Sequence, residues 1–261
     1  MRFAGSSVLI VGAATGLGAA TAEAFFAEGA VLTLVDRDGD RLAGTAERLR
    51  AMGANVIEIA GDATSQVTVD RAVEICLAAH DAIDVLFNNA GIDPLTATTV
   101  EHTTEAQWDA IMAVNVKAAF LFCRKAVPHM VARGRGAVIN TSSIAGIRPL
   151  GDEVAYAVSK AALIQLTRSI AAEYAKYGVR SNCICPGFLE SVMADRAAEM
   201  TAAALAARAA TAERIVPMGR QGRYSEIAAS VLFLADPVSA AYITGVVLPI
   251  DGGQLLAWAR L

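Results

Sequence analysis

Tyr156 and Lys160 stand four residues apart at the start of an Ala-rich run, and Ser143 lies thirteen residues before Tyr156. In a helix a four-residue spacing puts two side chains on one face about a turn apart, so an ammonium would sit beside a phenol. A free phenol has a pKa of about 10 and is a poor acid or base at neutral pH, but a neighbouring cation favours the phenolate. A lowering of roughly two to three units corresponds to about 3–4 kcal/mol. Ser143 follows the apolar run Ala137 to Ile139, which predicts a strand ending in a loop, and its hydroxyl could donate a hydrogen bond to a substrate oxygen. The pair alone decides little. With five Tyr in the chain, a Lys four residues downstream of one of them arises by chance in roughly one chain in five, so the remaining sequence must carry the reading.

The elements that would position these residues alternate regularly. Short apolar runs at Ser7 to Val11, Val31 to Val35, Val56 to Ala60, Val85 to Phe87, Ala137 to Ile139, Arg180 to Ile184 and Val246 to Ile250 predict seven strands. Continuous rather than alternating apolarity is the pattern of strands covered on both faces. Between them, helices are predicted to Glu28, over Arg41 to Met52, Val67 to Ala79, Gln107 to Pro128, Tyr156 to Tyr177 and Ser225 to Ala235, with a kink or weakening at Pro128. Such alternation implies an α/β fold, a doubly wound parallel sheet between two layers of helices. No linker or repeat interrupts it, so the 261 residues are read as one domain. Phe188 to Arg214 breaks the rhythm; rich in Ala, with Met193, Met200 and Leu205, it reads as a two-helix insertion past a strand's carboxyl end and a candidate lid.

The first strand runs into Gly12, Ala13, Ala14, Thr15, Gly16, Leu17 and Gly18, and then a helix. Glycines at such a turn let a pyrophosphate approach the backbone and the helix N-terminus. Asp36 ends the second strand eighteen residues after Gly18, near the ~20 expected for an acid that binds an adenosine ribose. Its other reading is a helix-capping Asp.

Together with Asp62, Asn88 to Gly91, Asn115 within Val-Asn-Val, Pro186-Gly187, Ile243 to Gly245 and Asp251 to Gly253, these residues make the whole chain resemble the short-chain dehydrogenase/reductases. The resemblance implies a nicotinamide-dependent oxidoreductase in which Tyr156 is the general acid/base, Ser143 rather than Ser142 orients the substrate oxygen, Lys160 lowers the tyrosine pKa and holds the nicotinamide ribose, and Asn115 positions a water of a proton relay. It places the cofactor against Gly12, Thr15, Gly16, Leu17 and Gly18. Asp36 and Arg37 fall beside the adenosine ribose, Asp62, Ala63, Asn89, Ala90 and Gly91 along the adenine side, and Pro186, Gly187, Leu189 and Ser191 beside the nicotinamide amide. Two positions depart from the usual pattern: Val11 and Ser191 stand where Thr is common. Asp36 points to NAD, and the expected reaction interconverts a secondary alcohol and its ketone. The alternatives are a 3-oxoacyl thioester reductase using NADPH and a non-catalytic NAD-binding protein. The resemblance further implies a homo-oligomer, most simply a homotetramer. The helices Gln107 to Pro128 and Tyr156 to Tyr177 carry Val114, Phe120, Phe122, Leu163, Leu166 and Ile170 around several faces, and the tail Leu255 to Leu261 is apolar.

Composition narrows the rest. With 18% charged residues and a net charge of −4, nothing offers a basic stripe to a nucleic-acid backbone. No run approaches the ~18 apolar residues of a membrane span. The run Val8 to Ala14 after Arg2 imitates a signal peptide only faintly, being broken by Gly12, and fits a buried first strand. Cys76, Cys123, Cys183 and Cys185 are irregularly placed and read as reduced, buried thiols, which suits the cytoplasm. His80, His102 and His129 lack ligand spacing, so no metal site is expected. Arg148 is read as a loop residue pairing with Asp152 or Glu153, with a substrate anion as its alternative partner.

Overall fold

The computed structural model describes residues 1–93, 98–149, 151–190 and 201–257. Seven parallel strands form one sheet: β1 (Ser7–Val11), β2 (Val31–Asp36), β3 (Val56–Ala60), β4 (Val85–Asn88), β5 (Gly136–Thr141), β6 (Val179–Pro186) and β7 (Val247–Ile250), in the order β3-β2-β1-β4-β5-β6-β7. The helices between them are α1 (Gly16–Ala27), α2 (Gly39–Ala51), α3 (Gln66–His80), α4 (Glu105–Met112), α5 (Ala118–Arg133), α6 (Val154–Tyr174), α7 (Ala202–Ile215) and α8 (Tyr224–Ala235).

The continuous apolar runs are explained by burial on both faces. Val8 and Ile10 pack with Phe25 of α1, Leu42 and Leu49 of α2, and Val231 of α8. Leu9 and Val11, pointing the other way, pack with Val73 of α3 and with Phe122 and Met130 of α5. The order in which successive strands are added reverses at β1, which pairs with β2 on one side and with β4 on the other. The crevice outside the carboxyl ends of β1 and β4 is therefore the switch point at which open α/β sheets bind ligands.

The helix expected over Gln107 to Pro128 differs from the structure. It begins at Glu105 with a capping box built by Thr104 and Gln107, passes through a π-turn at Ala113–Lys117, and continues as α5 through Pro128 to Arg133. Pro128 does not end it. The proline lies on the exposed side of α5, where a carbonyl deprived of its helical donor can meet water. The irregularity instead falls at Asn115, and π-turns of this kind gather at functional sites. Of the expected insertion, α7 is described, whereas Ser191, Met193 and Met200 lie outside the described residues, as does the side chain of Leu205. No described helix is long and apolar enough to cross a membrane.

Candidate active site

The glycine loop is shaped by contacts that exclude side chains. A Cβ on Gly12 would come 2.5 Å from the backbone nitrogen of Ala90, and one on Gly18 would come 1.9 Å from the carbonyl oxygen of Gly12. The loop thus lies directly against the segment after β4, where Asn89 and Ala90 donate their backbone N–H groups to the Val11 carbonyl at 2.9 and 2.8 Å. The Asn89 side chain donates to the Gly12 carbonyl at 2.9 Å and accepts from Thr141 Oγ1 at 3.2 Å. It braces the loop from behind. Val11, buried in the core, offers no hydroxyl for that purpose, and Asn89 supplies the polar bond instead.

At the start of α1, Thr15 occupies the capping position without a side-chain bond to the helix, and the first turn holds no acid. Leu17 turns its side chain into the core. The first amide hydrogens of α1 thus have no side-chain cap, leaving them and the positive end of the helix dipole to an anion. Asp36 ends β2 beside this loop: its Oδ2 accepts from Ala14 N at 2.9 Å and its Oδ1 from Asp38 N at 3.1 Å. It is not a helix cap, because Asp38 caps α2 by accepting from Arg41 N. Each Asp36 oxygen retains a lone pair for a further donor. Arg37 follows on the exposed side. Asp62, exposed after β3, folds its own turn by accepting from Thr64 N at 2.8 Å, and Ala63 packs beneath it against the core. These features fit a dinucleotide: a capless helix start for the pyrophosphate and a carboxylate one strand away for the ribose.

The reactive groups meet at the other end of the crevice. Lys160 on α6 is 3% exposed and donates from Nζ to the Thr141 carbonyl at 3.0 Å. That nitrogen lies 5.5 Å from the centre of the half-buried Tyr156 ring. Burial pulls the lysine pKa down to about 8, with Cys183, Cys185 and Asp93 pulling the other way, so the side chain is still largely cationic at pH 7. Gly91 closes over it; a Cβ there would lie 3.1 Å from Lys160 Nζ and 3.3 Å from Asn115 Oδ1. Asn115 itself is buried, accepting from Ile92 N at 2.7 Å and donating to Ile92 O and Ser159 Oγ, each at 2.9 Å.

The two adjacent serines have different surroundings. Ser142 is 3% exposed and donates to the Lys160 carbonyl at 2.7 Å, which anchors α6 to β5. Ser143 is half-buried at the crevice and its Oγ accepts from Ala145 N at 3.1 Å, leaving its hydrogen free to point elsewhere. Pro186 ends β6 and Gly187 passes so close to Asp251 that a Cβ would lie 2.6 Å from the Asp251 Cβ. Leu189 pairs with Gly222 in an isolated bridge, and Arg208 of α7 stacks over Phe188 at 4.3 Å.

Arg148 differs from the expectation. Instead of pairing with Asp152 or Glu153, it donates to the carbonyls of Gln254, Leu255 and Ala257 at 3.3–3.5 Å. Its sequence neighbours suggested a local ion pair, and nothing in the spacing foretold a partner more than a hundred residues away. Two supporting residues were not singled out from the sequence. Ser159 joins Asn115 to α6, and buried Gln254 accepts the backbone N–H of Phe188 at 3.1 Å. A Ser inside a helix, three residues after the tyrosine, was the available signal for the first, since such hydroxyls bond back to the preceding turn.

The family model described as Enoyl-(Acyl carrier protein) reductase matches residues 12–254. Levodione reductase of Leifsonia aquatica is 36% identical over 98% of this chain and 97% of its own length. A crystal structure of levodione reductase, 36% identical, superposes with a TM-score of 0.89 over 98% of this chain and 100% of that one. The chain belongs to the short-chain dehydrogenase/reductase family. Galactitol 2-dehydrogenase (L-tagatose-forming) of Cereibacter sphaeroides is 37% identical over 97% of this chain and 96% of its own. The structure of L-sorbose reductase from Gluconobacter frateurii, complexed with NADPH and L-sorbose, is 32% identical with a TM-score of 0.89 over 98% of both chains. As a member of this family the chain is an oxidoreductase of CH–OH groups whose fold binds a nicotinamide cofactor. All four cysteines are buried free thiols.

Proposed function

We propose that the protein is an NAD-preferring dehydrogenase/reductase that interconverts a neutral secondary alcohol and its ketone, with Tyr156 as general acid/base. The observation that carries this reading is the buried, cationic Lys160 held 5.5 Å from the Tyr156 ring centre by the Thr141 carbonyl. A nicotinamide cofactor in the crevice would supply or accept the hydride. The chain's own part is to place the substrate carbon and to move the proton. Ser143, already anchored through Ala145 N, directs its hydrogen at the substrate oxygen, and the Tyr156 hydroxyl gives that oxygen its proton or takes it away. Lys160 makes the phenolate accessible, and Asn115 lines the route by which the proton reaches solvent.

A neutral substrate is favoured because Arg148, the cation nearest Ser143 in sequence, is occupied by three carbonyls of the C-terminal turn. Levodione reductase, galactitol dehydrogenase and L-sorbose reductase carry neutral ketones or polyols in their names, which supports the same class for this chain. A panel of secondary alcohols, polyols and hydroxy acids tested with NAD, following the absorbance of the reduced cofactor, tests the proposal. Turnover confined to acyl thioesters with NADPH would transfer it to the 3-oxoacyl thioester reductase reading, the activity in the name of a Thermotoga maritima relative 35% identical to this chain. The absence of turnover with tight cofactor binding would leave a non-catalytic binder.

The preference for NAD rests on Asp36. The 2′-phosphate of NADP would face this carboxylate, and two like charges about 4 Å apart at an effective dielectric near 20 repel by roughly 4 kcal/mol. Solvent and salt reduce that to an expected preference of about 10²–10³ in kcat/KM for NAD, at about 1.4 kcal/mol per tenfold step. Arg37, exposed beside it, would soften the discrimination by turning toward the phosphate. Asp36→Ala should improve NADP use more than it harms NAD use, although it also removes the brace on Ala14 N. Comparable kcat/KM values for both cofactors in the unmutated protein would refute the role of Asp36.

We take the chain as one domain, since every strand joins one sheet. Residues 188–214 are proposed as the substrate lid, supported by Arg208, which ties α7 to Leu189 O at 3.5 Å and to the Phe188 ring. The loop after β6, with Pro186, Gly187 and Leu189, would hold the nicotinamide amide. The cytoplasm is the proposed site of action, on the strength of the free thiols. A homotetramer is supported by apolar surface on α4 and α5, where Trp108 is 36% and Phe120 45% exposed. There Met112, Ala113, Val116, Lys117, Phe120 and Asp109 line a depression of about 460 Å³. Light scattering at micromolar concentration should give four times the chain mass, and a monomer mass would overturn this part.

A further inference from the structure

We infer that Ser159 is a positioning residue for the reaction, locking Asn115 and the first turn of α6 into one rigid unit that sets Tyr156 against Lys160. This rests on the proposed role of Tyr156 as acid/base.

Ser159 is fully buried. Its Oγ lies 2.7 Å from the Tyr156 carbonyl oxygen and 2.9 Å from Asn115 Nδ2. The direction of both bonds is fixed by the groups around them. Asn115 Oδ1 must be the atom that faces the Ile92 N–H, because that group can only donate, and the same orientation puts Nδ2 on the Ile92 carbonyl and on Ser159. Both amide hydrogens of Asn115 are then used, so Ser159 Oγ is an acceptor toward Asn115 and its single hydrogen goes to Tyr156 O. No alternative arrangement satisfies all four bonds.

This hydroxyl joins the π-turn at Asn115 to the catalytic turn of α6, and Asn115 in turn holds the chain after β4 at Ile92. The π-turn matters here because Asn115 lies within it, buried, and bonds both Ile92 and Ser159. On the opposite side α6 is held by Ser142, which bonds the Lys160 carbonyl, and by Lys160 Nζ on Thr141 O. A hydroxyl inside a helix ordinarily bonds back to its own preceding turn and contributes little. This one also accepts from a second element, so its loss would leave Asn115 with an unsatisfied buried N–H and free the tyrosine turn on one of its two sides.

The decisive readout is the phenol of Tyr156 itself, because it requires no substrate. In protein labelled with ¹³Cζ-tyrosine, the Tyr156 resonance is assigned by its absence in Tyr156→Phe and followed against pH. In Ser159→Ala its midpoint should rise by about 0.3–0.5 pH unit, the change expected when a phenolate and a cation separate by about 1 Å. The other four tyrosines should titrate unchanged, and kcat on any substrate found should fall about tenfold with the NADH Kd within twofold. A Tyr156 midpoint within 0.1 unit of the unmutated protein would overturn the assignment and leave Ser159 as helix filler. If Ser159→Ala does not fold, Ser159→Cys, whose thiol fills the space but bonds weakly, is read by the same criterion. Failure of the acid/base reading would show separately, as retention of more than half the turnover in Tyr156→Phe.

Discussion

Tyr156→Phe is expected to lower turnover by about 10²–10⁴-fold, the usual contribution of a positioned proton-transfer group, while NADH binds within twofold of the unmutated protein. The selectivity of that loss follows from where the ring sits. Tyr156 is half-buried at the crevice, and its turn is held through backbone and neighbours: its carbonyl receives Ser159 Oγ, and α6 is fixed by Ser142 and Lys160. Removing one phenolic oxygen leaves all of these in place. The glycine loop and Asp36 lie on the β1 and β2 side of the sheet, away from the change, so dinucleotide affinity should persist. Stopped-flow single turnover with fluorescence titration of NADH separates the two effects. A variant retaining more than half the turnover would show that another group carries the proton.

Much of this arrangement is legible in the sequence, for a physical reason. Strands buried on both faces must be apolar throughout, so β1 and β2 announce themselves as short runs, and glycines at Gly12 and Gly18 are demanded by backbone contacts that tolerate no Cβ. The spacing of Tyr156 and Lys160 likewise needs only a helix. Other features depend on partners distant in sequence. The π-turn at Asn115 is stabilised by Ile92 and Ser159, neither of which a local pattern connects to it. Arg148 meets carbonyls over a hundred residues away, whereas proximity in sequence suggested Asp152. At Pro128 the general cost of proline in a helix predicts a weak point, yet the exposed face of α5 lets water replace the lost donor. Sequence periodicity reports which face is buried and says little about which exposed carbonyl is solvated.

Lys160→Met is expected to abolish turnover to the same extent as loss of the tyrosine and yet to make the protein more stable at pH 7. Lys160 is 3% exposed, and its ammonium has one carbonyl partner at 3.0 Å. Desolvation brings its pKa from 10.5 down to about 8. The sign follows from proton binding. Between pH 8 and 10.5 the unfolded chain holds a proton on this amine that the folded chain does not, so the stability of the unmutated protein rises with pH across that window. Below about pH 8 the folded chain carries the full burden of a buried cation, which the size of the shift puts at about 3 kcal/mol. A methionine of similar length keeps the packing and removes the charge, as replacement of buried ions by apolar residues often stabilises. Urea unfolding should therefore place Lys160→Met about 2–3 kcal/mol above the unmutated protein at pH 7 and close to it near pH 10. An equal difference at both pH values would mean that the lysine is not held at this cost. Such a result would also weaken the case for Tyr156, because a lysine buried against its solvation preference is sustained only by something it does, and here the group within its reach is the phenol.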